Sequence, residues 1–595
     1  MCITNVILAV LQHILHGQRF CNVENGIYTR GNRRAAYTAS VNKAVLPSMS
    51  TAMHPEDYTV VPIPLLNATV SNVELMSLTK PSLQARVSVI FNAPLSFEKL
   101  HSAWITALHA RPIMQAPMRE CPSAPSGLAY HVRTPTGMAK YLKRQDSLPE
   151  HLRDFCCLDE SHRSIRSYCP GFGGAAASDD GGVVVISQGP EAADQKRCAA
   201  LNAVDGFDQL RRSDRPQTTI QVTRFRDATL VTMSVNHAFG DLVTIKSFLK
   251  AWEAALHGRE VRPYERVDAD PFLGYEPGGE LASGGGGLPP PPPPEGWKVY
   301  GLLDKARFMR RYLWDHYVQR PERSIEDRRI FLPDEFVAAL QEKARYDLTF
   351  VQKRLDGEKL KPEGEDDGTT TKEKKERKKL YVSRSDVLYA WLLKHSHAHL
   401  PPDQPSTAVT ISNGRFRPPA GLPADPASLA DNDLLCGAMA IALPGLTAGR
   451  VAALPLGELA LHVREGIRAR TTPEGVKRWL NFQLAHGRWR EPSGAVVAPC
   501  EPGDFVTGIT DWRAVRLGEV DFSPARLPGE GAAVVKMSAV DGHMVVKSSR
   551  RDFYICLGDV EGGVWILGYA SREQWRDPRS FGRYETLLRE PRSKL

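Results

Sequence analysis

The chain has 595 residues, of which 42% are hydrophobic and 24% are charged, and its formal net charge is +8. This composition is typical of a soluble globular protein, and the length predicts two domains with insertions. No interleaving of basic and aromatic residues indicates a nucleic-acid partner, and no apolar run is long enough to predict a membrane span. The ten cysteines form no CxxC pair and have no His-rich neighbours, so neither a metal site nor a disulfide framework is expected.

The first half of the chain begins with a weakly patterned segment. Residues 1–55 show little periodicity and are predicted to be poorly ordered. Within them, Cys2 to Leu15 is apolar but lacks a basic leading segment, which favours a frayed N-terminus over a signal peptide. A strand is predicted over Ala85 to Phe91 and a helix over Ser96 to His109. The stretch from Cys121 to Gln217 has no clear period and is expected to be largely irregular.

A histidine follows the next two predicted strands. The β-branched runs Thr219 to Phe225 and Thr229 to Asn236 predict a hairpin that ends at His237. Apolar residues then recur with helical spacing up to Gly258, so His237 lies at a strand-to-helix junction. It continues an apolar strand face, where a neutral imidazole could accept a proton. A core histidine that bonds one backbone carbonyl is the alternative that this residue alone leaves open.

The second half follows a spacer rich in glycine and proline. Gly278 to Gly296 favours an extended linker within a crossover at 277–327, with a docking ligand for another domain as the alternative. A helix is predicted over Pro333 to Tyr346, followed by a charged, disordered insertion at 352–379. A small antiparallel meander is expected from three C-terminal strands, Ala532 to Met537, Asp552 to Leu557 and Val564 to Tyr569.

Four ordered segments resemble motifs of one enzyme family. His237-Ala238-Phe239-Gly240-Asp241 is similar to an HxxxD motif, and Thr510-Asp511-Trp512 to a T-S-W segment that precedes DFGWG, of which Asp521-Phe522 is retained. Val382 to Trp391 is similar to a helix that begins with serine and aspartate, and Asn413 to Pro419 to an arginine-rich segment before two prolines. Together they resemble the BAHD acyltransferases and their fungal relatives. Leu242 replaces the glycine that usually follows HxxxD, and Ser523-Pro524-Ala525 replaces the end of DFGWG.

The resemblance implies a fold and a reaction. The fold is α/β, with two chloramphenicol acetyltransferase-like domains at 56–276 and 328–592 joined by the crossover. The reaction moves an acyl group from acyl-CoA, the co-substrate, to a hydroxyl or amine of a small molecule, in secondary metabolism. No bound cofactor is implied, and a monomer is expected.

The resemblance also implies roles for individual residues. His237 is the general base, and Thr510 and Trp512 lie near the carbonyl oxygen of the thioester. Three further residues, Asp241, Arg415 and Asp521, support the site. Asp241 pairs with an arginine, for which Arg415 is the first candidate and Arg417 the second, and Asp521 anchors a loop.

Alternatives to this function stay open. A relative without catalytic activity could bind CoA or an acyl carrier and act as a scaffold, which loss of the DFGWG ending favours. A carrier-dependent condensation domain is less well matched, because such domains usually have paired histidines where this chain has Asn236. Ser593-Lys594-Leu595 matches a peroxisomal targeting tripeptide, so a peroxisomal import receptor is an expected partner, with the cytoplasm as the alternative location.

Overall fold

The computed structural model describes most of the chain beyond the N-terminal segment. The described residues are 54–68, 84–168, 184–187, 198, 201–204, 207–263, 292–313, 325–358, 379–420, 436–486, 496–528, 534–545, 552–560 and 562–584. All structural statements below concern these residues. Most of the segment 1–55 predicted to be poorly ordered, most of the charged insertion predicted at 352–379 and the targeting tripeptide lie outside them. The described residues from Pro55 onward belong to one compact unit.

The described residues form an α/β structure, as predicted. The strands are β1 Tyr58–Pro62, β2 Gln84–Phe91, β3 Met118–Glu120, β4 Leu128–Arg133, β5 Phe155–Glu160, β6 Val184–Ser187, β7 Thr218–Phe225, β8 Thr229–Asn236, β9 Lys298–Tyr300, β10 Ile325–Pro333, β11 Pro405–Asn413, β12 Ala438–Thr447, β13 Val496–Ala498, β14 Phe505–Asp511, β15 Met537–Val545, β16 Phe553–Val560 and β17 Gly563–Ser571. The helices are α1 Leu65–Ala68, α2 Phe97–Ala110, α3 Pro135–Ser147, α4 Phe207–Arg212, α5 Leu242–Leu256, α6 Leu302–Leu313, α7 Asp334–Glu358, α8 Arg384–His397, α9 Ala448–Ala453, α10 Leu456–Arg470, α11 Pro473–His486 and α12 Arg572–Arg576. None of these helices is both long and apolar enough to cross a bilayer.

Two large sheets form the framework. One has five strands in the order β15-β2-β8-β7-β5, and the other has seven in the order β12-β11-β14-β16-β17-β10-β6. Each sheet receives a strand from the other half of the chain. β15 pairs antiparallel with β2, and β6 pairs antiparallel with β10. The two halves predicted on either side of the 277–327 crossover therefore interlock by exchanging strands.

Two hydrophobic cores support the sheets, and the first contains residues from both of them. In the five-stranded half, Trp104 and Trp252 are fully buried and meet edge to face at 5.3 Å between ring centroids. In the seven-stranded half, Trp391 and Trp575 both pack on Phe581. Aromatic pairs of this kind add about 0.5–1.5 kcal/mol each to the burial of their area. The cores fix the two sheets as rigid supports for the residues between them.

Predictions with a strong local pattern are confirmed. β7 and β8 form the expected antiparallel hairpin, which ends immediately before His237. α5 then runs to Leu256 and stops before Gly258, whose φ of +64° suits glycine. α2 begins after Ser96, whose hydroxyl caps the Lys99 amide.

Several predictions of the local structure are wrong. The helix predicted over Pro333 to Tyr346 continues as α7 to Glu358, into the insertion predicted at 352–379, and 359–378 lie outside the described residues. The crossover predicted at 277–327 stays a prediction: most of its Gly278 to Gly296 spacer lies outside the described residues, and its described part includes α6 and β9, which pairs with β13. The region from Cys121 to Gln217, expected to be irregular, contains β4, α3 and β5. Short elements with mixed faces carry too little periodicity to be recognised.

The predicted C-terminal meander is also wrong. β16 and β17 do form an antiparallel hairpin, but β16 pairs parallel with β14 on its other side. The preceding strand begins at Met537 rather than ending there, and it belongs to the five-stranded sheet as β15. Closeness along the chain suggested a meander, whereas partners from distant parts of the chain decided the pairing.

Candidate active site

The histidine motif is a tight turn between β8 and α5. The carbonyl and side-chain oxygens of Asn236 accept hydrogen bonds from the amides of Phe239 and Ala238, respectively, both at 2.9 Å. A Cβ atom at Gly240 would lie 2.0 Å from Thr244 Oγ1, so the turn leaves no space for a side chain there. Thr244 Oγ1 also accepts from the Asp241 amide at 3.2 Å. The sequence of the motif therefore sets the direction in which His237 leaves the strand.

Asp241 holds this turn to two other parts of the chain. Its Oδ1 caps α5 by accepting from the Val243 amide at 2.9 Å. Its Oδ2 accepts from Arg415 Nη1 at 2.5 Å and from the Gly437 amide at 3.1 Å. The side chain of Arg415 is fully buried. Of the two arginines considered from the sequence, Arg415 is the one that pairs with Asp241, whereas Arg417 donates to the Ser412 hydroxyl.

His237 is half-buried and lines a large cavity. Its Nδ1 lies 3.5 Å from the thiol sulfur of Cys436. Cys436 is fully buried and directly precedes Gly437, which contacts Asp241. No feature of the sequence around Cys436 marked it as part of the site, because the contact depends on β12 arriving from the opposite sheet.

Thr510 and Trp512 reach the same cavity from β14. This strand lies between β11 and β16 and runs parallel to both. Its alternate residues Val506, Gly508 and Thr510 line the cavity. Trp512 follows the strand, and its amide donates to the Cys556 carbonyl at 2.8 Å. The structure thus brings Thr510 and Trp512 to the same cavity as His237, which is distant from both in the sequence.

A polar cluster fixes the end of β14 and was missed in the sequence. Arg513 donates two hydrogen bonds to the Asp511 carboxylate, at 2.9 Å from Nε and 2.5 Å from Nη2. Ser385, near the start of α8, donates to Asp511 Oδ2 at 2.8 Å. Both charged side chains are largely buried. Tyr389 lies nearby on α8, and burial raises its pKa well above the usual value. The cluster orients the backbone that carries Thr510 and Trp512.

Asp521 has a different position from the other predicted residues. Its Oδ1 accepts from the Ser523 amide at 2.8 Å, and its Oδ2 lies 3.2 Å from His257 Nε2. The carboxylate is half-exposed and does not line the cavity described by the structure. The adjacent Phe522 is fully buried and stacks on Phe91 at 4.8 Å. This retained pair therefore lies in a turn that packs on the five-stranded sheet.

The cavity itself has a volume of about 1340 Å³. A pocket for one small ligand typically occupies about 300–1,000 Å³, so this one has space for two reactants. Its wall includes residues of both large sheets: Ala85 and Val87 on β2 of the five-stranded sheet, and Val409 on β11 of the seven-stranded sheet. Among the described residues, no group of histidine, cysteine or acidic side chains is arranged to hold a metal ion.

Comparisons with known proteins find relatives along nearly the whole chain. No family model matches the chain. The acetyltransferase MATC1 of Mycosarcoma maydis is 31% identical over 548 residues, which cover 89% of this chain and 98% of that protein. The acetyltransferase MAT1 of Pseudozyma antarctica is 31% identical over 536 residues, with the same two coverages.

The fold is similar to that of solved structures of low sequence identity. TRI101 of F. sporotrichioides, solved with coenzyme A and T-2, matches with a TM-score of 0.53 and 11% identity, over 88% of this chain and 98% of that chain. TRI101 of F. graminearum, solved with coenzyme A and deoxynivalenol, matches with a TM-score of 0.52 and 12% identity, over 87% and 96% of the two chains.

Proposed function

Because the chain belongs to the BAHD-like acyltransferases, enzymes that transfer acyl groups from acyl-CoA to small molecules, we propose that it acetylates a hydroxyl or amine, with His237 as general base. The observation that carries this proposal is the shared cavity of His237, Thr510 and Trp512. The choice of an acetyl group follows the two relatives that are 31% identical to this chain, both of which are acetyltransferases.

The proposed reaction begins with removal of a proton from the acceptor. His237 takes the proton as the acceptor oxygen or nitrogen attacks the thioester carbonyl, and a carbon–oxygen or carbon–nitrogen bond forms. General-base catalysis of this kind contributes roughly 10²- to 10⁴-fold in rate. The carbon–sulfur bond then breaks, and the imidazolium returns its proton to the leaving thiolate. The products are the acylated acceptor and free coenzyme A, and the histidine is regenerated.

Negative charge develops on the carbonyl oxygen between these two steps. The hydroxyl of Thr510 and the indole nitrogen of Trp512 are the proposed donors to that oxygen. One such preorganised donor is worth about 3–4 kcal/mol of transition-state stabilisation. Asp511, Arg513 and Ser385 support these donors by holding the strand end, since their bonds are short and largely shielded from water.

Asp241 serves the reaction indirectly in this proposal. Both of its carboxylate oxygens are engaged by Val243, Arg415 and Gly437, so it has the contacts of a support rather than of an acid. Asp521 supports a turn away from the cavity. The scaffold alternative is not favoured, because the chain is similar along nearly the full length of proteins named acetyltransferases.

Location and biological role are a separate part of the proposal. We propose import into peroxisomes through Ser593-Lys594-Leu595, a role in secondary metabolism, and a monomeric state. A copy with a fluorescent label at its N-terminal side should give puncta that become diffuse when Leu595 is deleted. Puncta that persist after this deletion would contradict import through the tripeptide.

The enzymatic proposal has a direct test. Purified protein is incubated with acetyl-CoA, longer acyl-CoAs and a panel of alcohols and amines, and both thiol release and product mass are measured. We expect acetyl transfer that depends on an acceptor and that is lost in His237→Ala. His162→Ala, at a histidine whose side chain is 72% exposed, is the control. Full turnover by His237→Ala would remove the base assignment, and absence of transfer from every acyl-CoA would remove the function.

A further inference from the structure

Three parts of the chain meet next to His237: helix α1, the turn after β8 and the segment before β12. The side chain of Asn67, on α1, is fully buried and bridges the other two. Its Nδ2 donates to the Ala238 carbonyl at 3.0 Å, and its Oδ1 accepts from the Cys436 amide at 2.7 Å. Asn67 therefore fixes the backbone of Cys436 relative to the residue that follows His237.

Cys436 and Gly437, which are adjacent in the chain, contact the two ends of the histidine motif. Cys436 places its sulfur 3.5 Å from His237 Nδ1, while the Gly437 amide donates to Asp241 Oδ2 at 3.1 Å. A Cβ atom at Gly437 would lie 2.6 Å from Asn413 Oδ1, so this approach requires glycine. The hydroxyl of Tyr130 also donates to the Ala238 carbonyl, at 3.1 Å. The motif is thus braced from α1, β4 and the segment before β12.

The contact with sulfur bears on the protonation of the ring. A neutral imidazole carries its hydrogen on one nitrogen and its lone pair on the other, and the partner of one nitrogen selects the state of both. When Nδ1–H donates to the Cys436 sulfur, a weak acceptor, Nε2 holds the lone pair. Nε2 is then the atom that removes the acceptor's proton, and Nδ1–H keeps the same partner after the imidazolium forms.

We propose that Cys436 and Asn67 are positioning residues of the transferase reaction. Cys436 holds the Nδ1–H tautomer and the ring orientation of His237, and Asn67 holds Cys436 at the required place. This inference rests on the proposed role of His237 as base. The Cys436 thiol forms no covalent bond in this reaction, because its sulfur faces the imidazole of His237 and the residue is fully buried.

The test compares three cysteine substitutions, together with Asn67→Asp, in the full-length chain. Cys436→Ala removes the sulfur, Cys436→Ser retains a hydrogen-bonding atom, and Cys156→Ala removes another buried thiol, on β5, as the matched control. Steady-state kcat, the KM values of both substrates and the pH profile of kcat are measured. The neighbouring charges of Asp241 and Arg415 are the same in all variants.

The expected pattern separates positioning from packing. Cys436→Ala should lower kcat about tenfold, leave each KM within about twofold, and move the acidic limb of the kcat profile to lower pH by about half a unit or more, because the imidazolium loses an acceptor. Cys436→Ser should restore most of kcat. Asn67→Asp, which lacks the donor to the Ala238 carbonyl, should lower kcat as Cys436→Ala does. Cys156→Ala should leave both kcat and the pH profile unchanged.

Other results would overturn the inference in distinguishable ways. If wild-type protein is active, His237→Ala is inactive and Cys436→Ala has the wild-type profile, the positioning role fails while the proposed function stands. An acyl adduct on Cys436 in intact-mass spectra, after mixing with acyl-CoA alone, would show a nucleophile instead. An inactive wild-type protein would remove both the inference and the proposed function.

Discussion

Arg329 of β10 and Asp541 of β15 form a fully buried ion pair that joins the two large sheets. Arg329 donates to both carboxylate oxygens, at 2.9 Å from Nε and 2.5 Å from Nη2. Their side chains are only 1% and 0% exposed. The hydroxyl of Tyr168 and the Gly542 amide also donate to the carboxylate, at 3.3 and 2.9 Å. The exchanged strand β15 is therefore fixed to both sheets, one through its ladder and one through this pair.

Breaking this pair should strongly destabilise the protein. Arg329→Met removes the guanidinium that pairs with the buried Asp541 carboxylate, and breaking a buried ion pair in this way typically costs about 3–5 kcal/mol. Urea unfolding should show a lower midpoint. Arg572→Met, the same change at the more exposed pair of Arg572 and Glu326, is the control and should cost no more than about 1 kcal/mol. Equal midpoints for the two variants would contradict a structural role for the buried pair.

Neutralising Asp241 should affect activity and stability together. Asp241→Asn can still cap α5 through its amide oxygen, but it removes the charge that faces the buried guanidinium of Arg415. We expect a lower melting temperature and a lower kcat, because the motif turn loses its fixed position. Asp521→Asn, at the turn outside the cavity, should change both quantities less. A variant of Asp241 that melts as the wild type but is inactive would instead indicate direct participation in the chemistry.

Removing the hydroxyl of Thr510 should slow turnover without unfolding the protein. Thr510→Val keeps the shape of the side chain, and loss of one oxyanion donor typically lowers kcat by about 10²- to 10³-fold. Thr507→Val is the matched control on the opposite face of β14, where the buried hydroxyl lies 3.4 Å from the hydroxyl oxygen of Ser396. The control should lose stability but not turnover. Equal kcat values for Thr510→Val and the wild type would exclude this hydroxyl as the donor.

Stability should fall in mild acid because of buried histidines in α8. Burial lowers the pKa of His395 to about 4, against an opposing bond from its ring to the Trp391 carbonyl. Since this pKa lies below that of an unfolded histidine, about 6.5, the unfolded chain binds more protons between these values. The stabilisation is complete above about pH 6.5 and is lost as the pH falls towards 4, by about 3 kcal/mol.

Substitution of His395 isolates this effect. His395→Phe places a ring that cannot titrate among Trp391, Phe581 and Tyr584. Unfolding midpoints at several values between pH 4 and 7 should depend less on pH in this variant than in the wild type. His162→Phe, at an exposed histidine, should retain the wild-type slope. His397, whose pKa burial also lowers to about 4, should account for part of the dependence that remains.

Local patterns in the sequence determined the elements that carry the motif. Alternating β-branched residues gave the β7–β8 hairpin, and helical spacing up to Gly258 gave α5, so the position of His237 between them was predictable. The ordered motifs likewise pointed to Thr510, Trp512 and the partner of Asp241. These features depend on neighbours in the chain or on residue types that the chemistry requires.

The tertiary structure alone decided which distant segments meet. Nothing local to β15 indicates that it pairs with β2, and nothing around Asn67 or Cys436 indicates that both approach His237. Local periodicity reports which face of an element is buried, but not which partner buries it. That choice depends on the simultaneous packing of both cores and on the pairing of buried charges such as Arg329 and Asp541. The arrangement of the site is fixed only when all of these contacts form together.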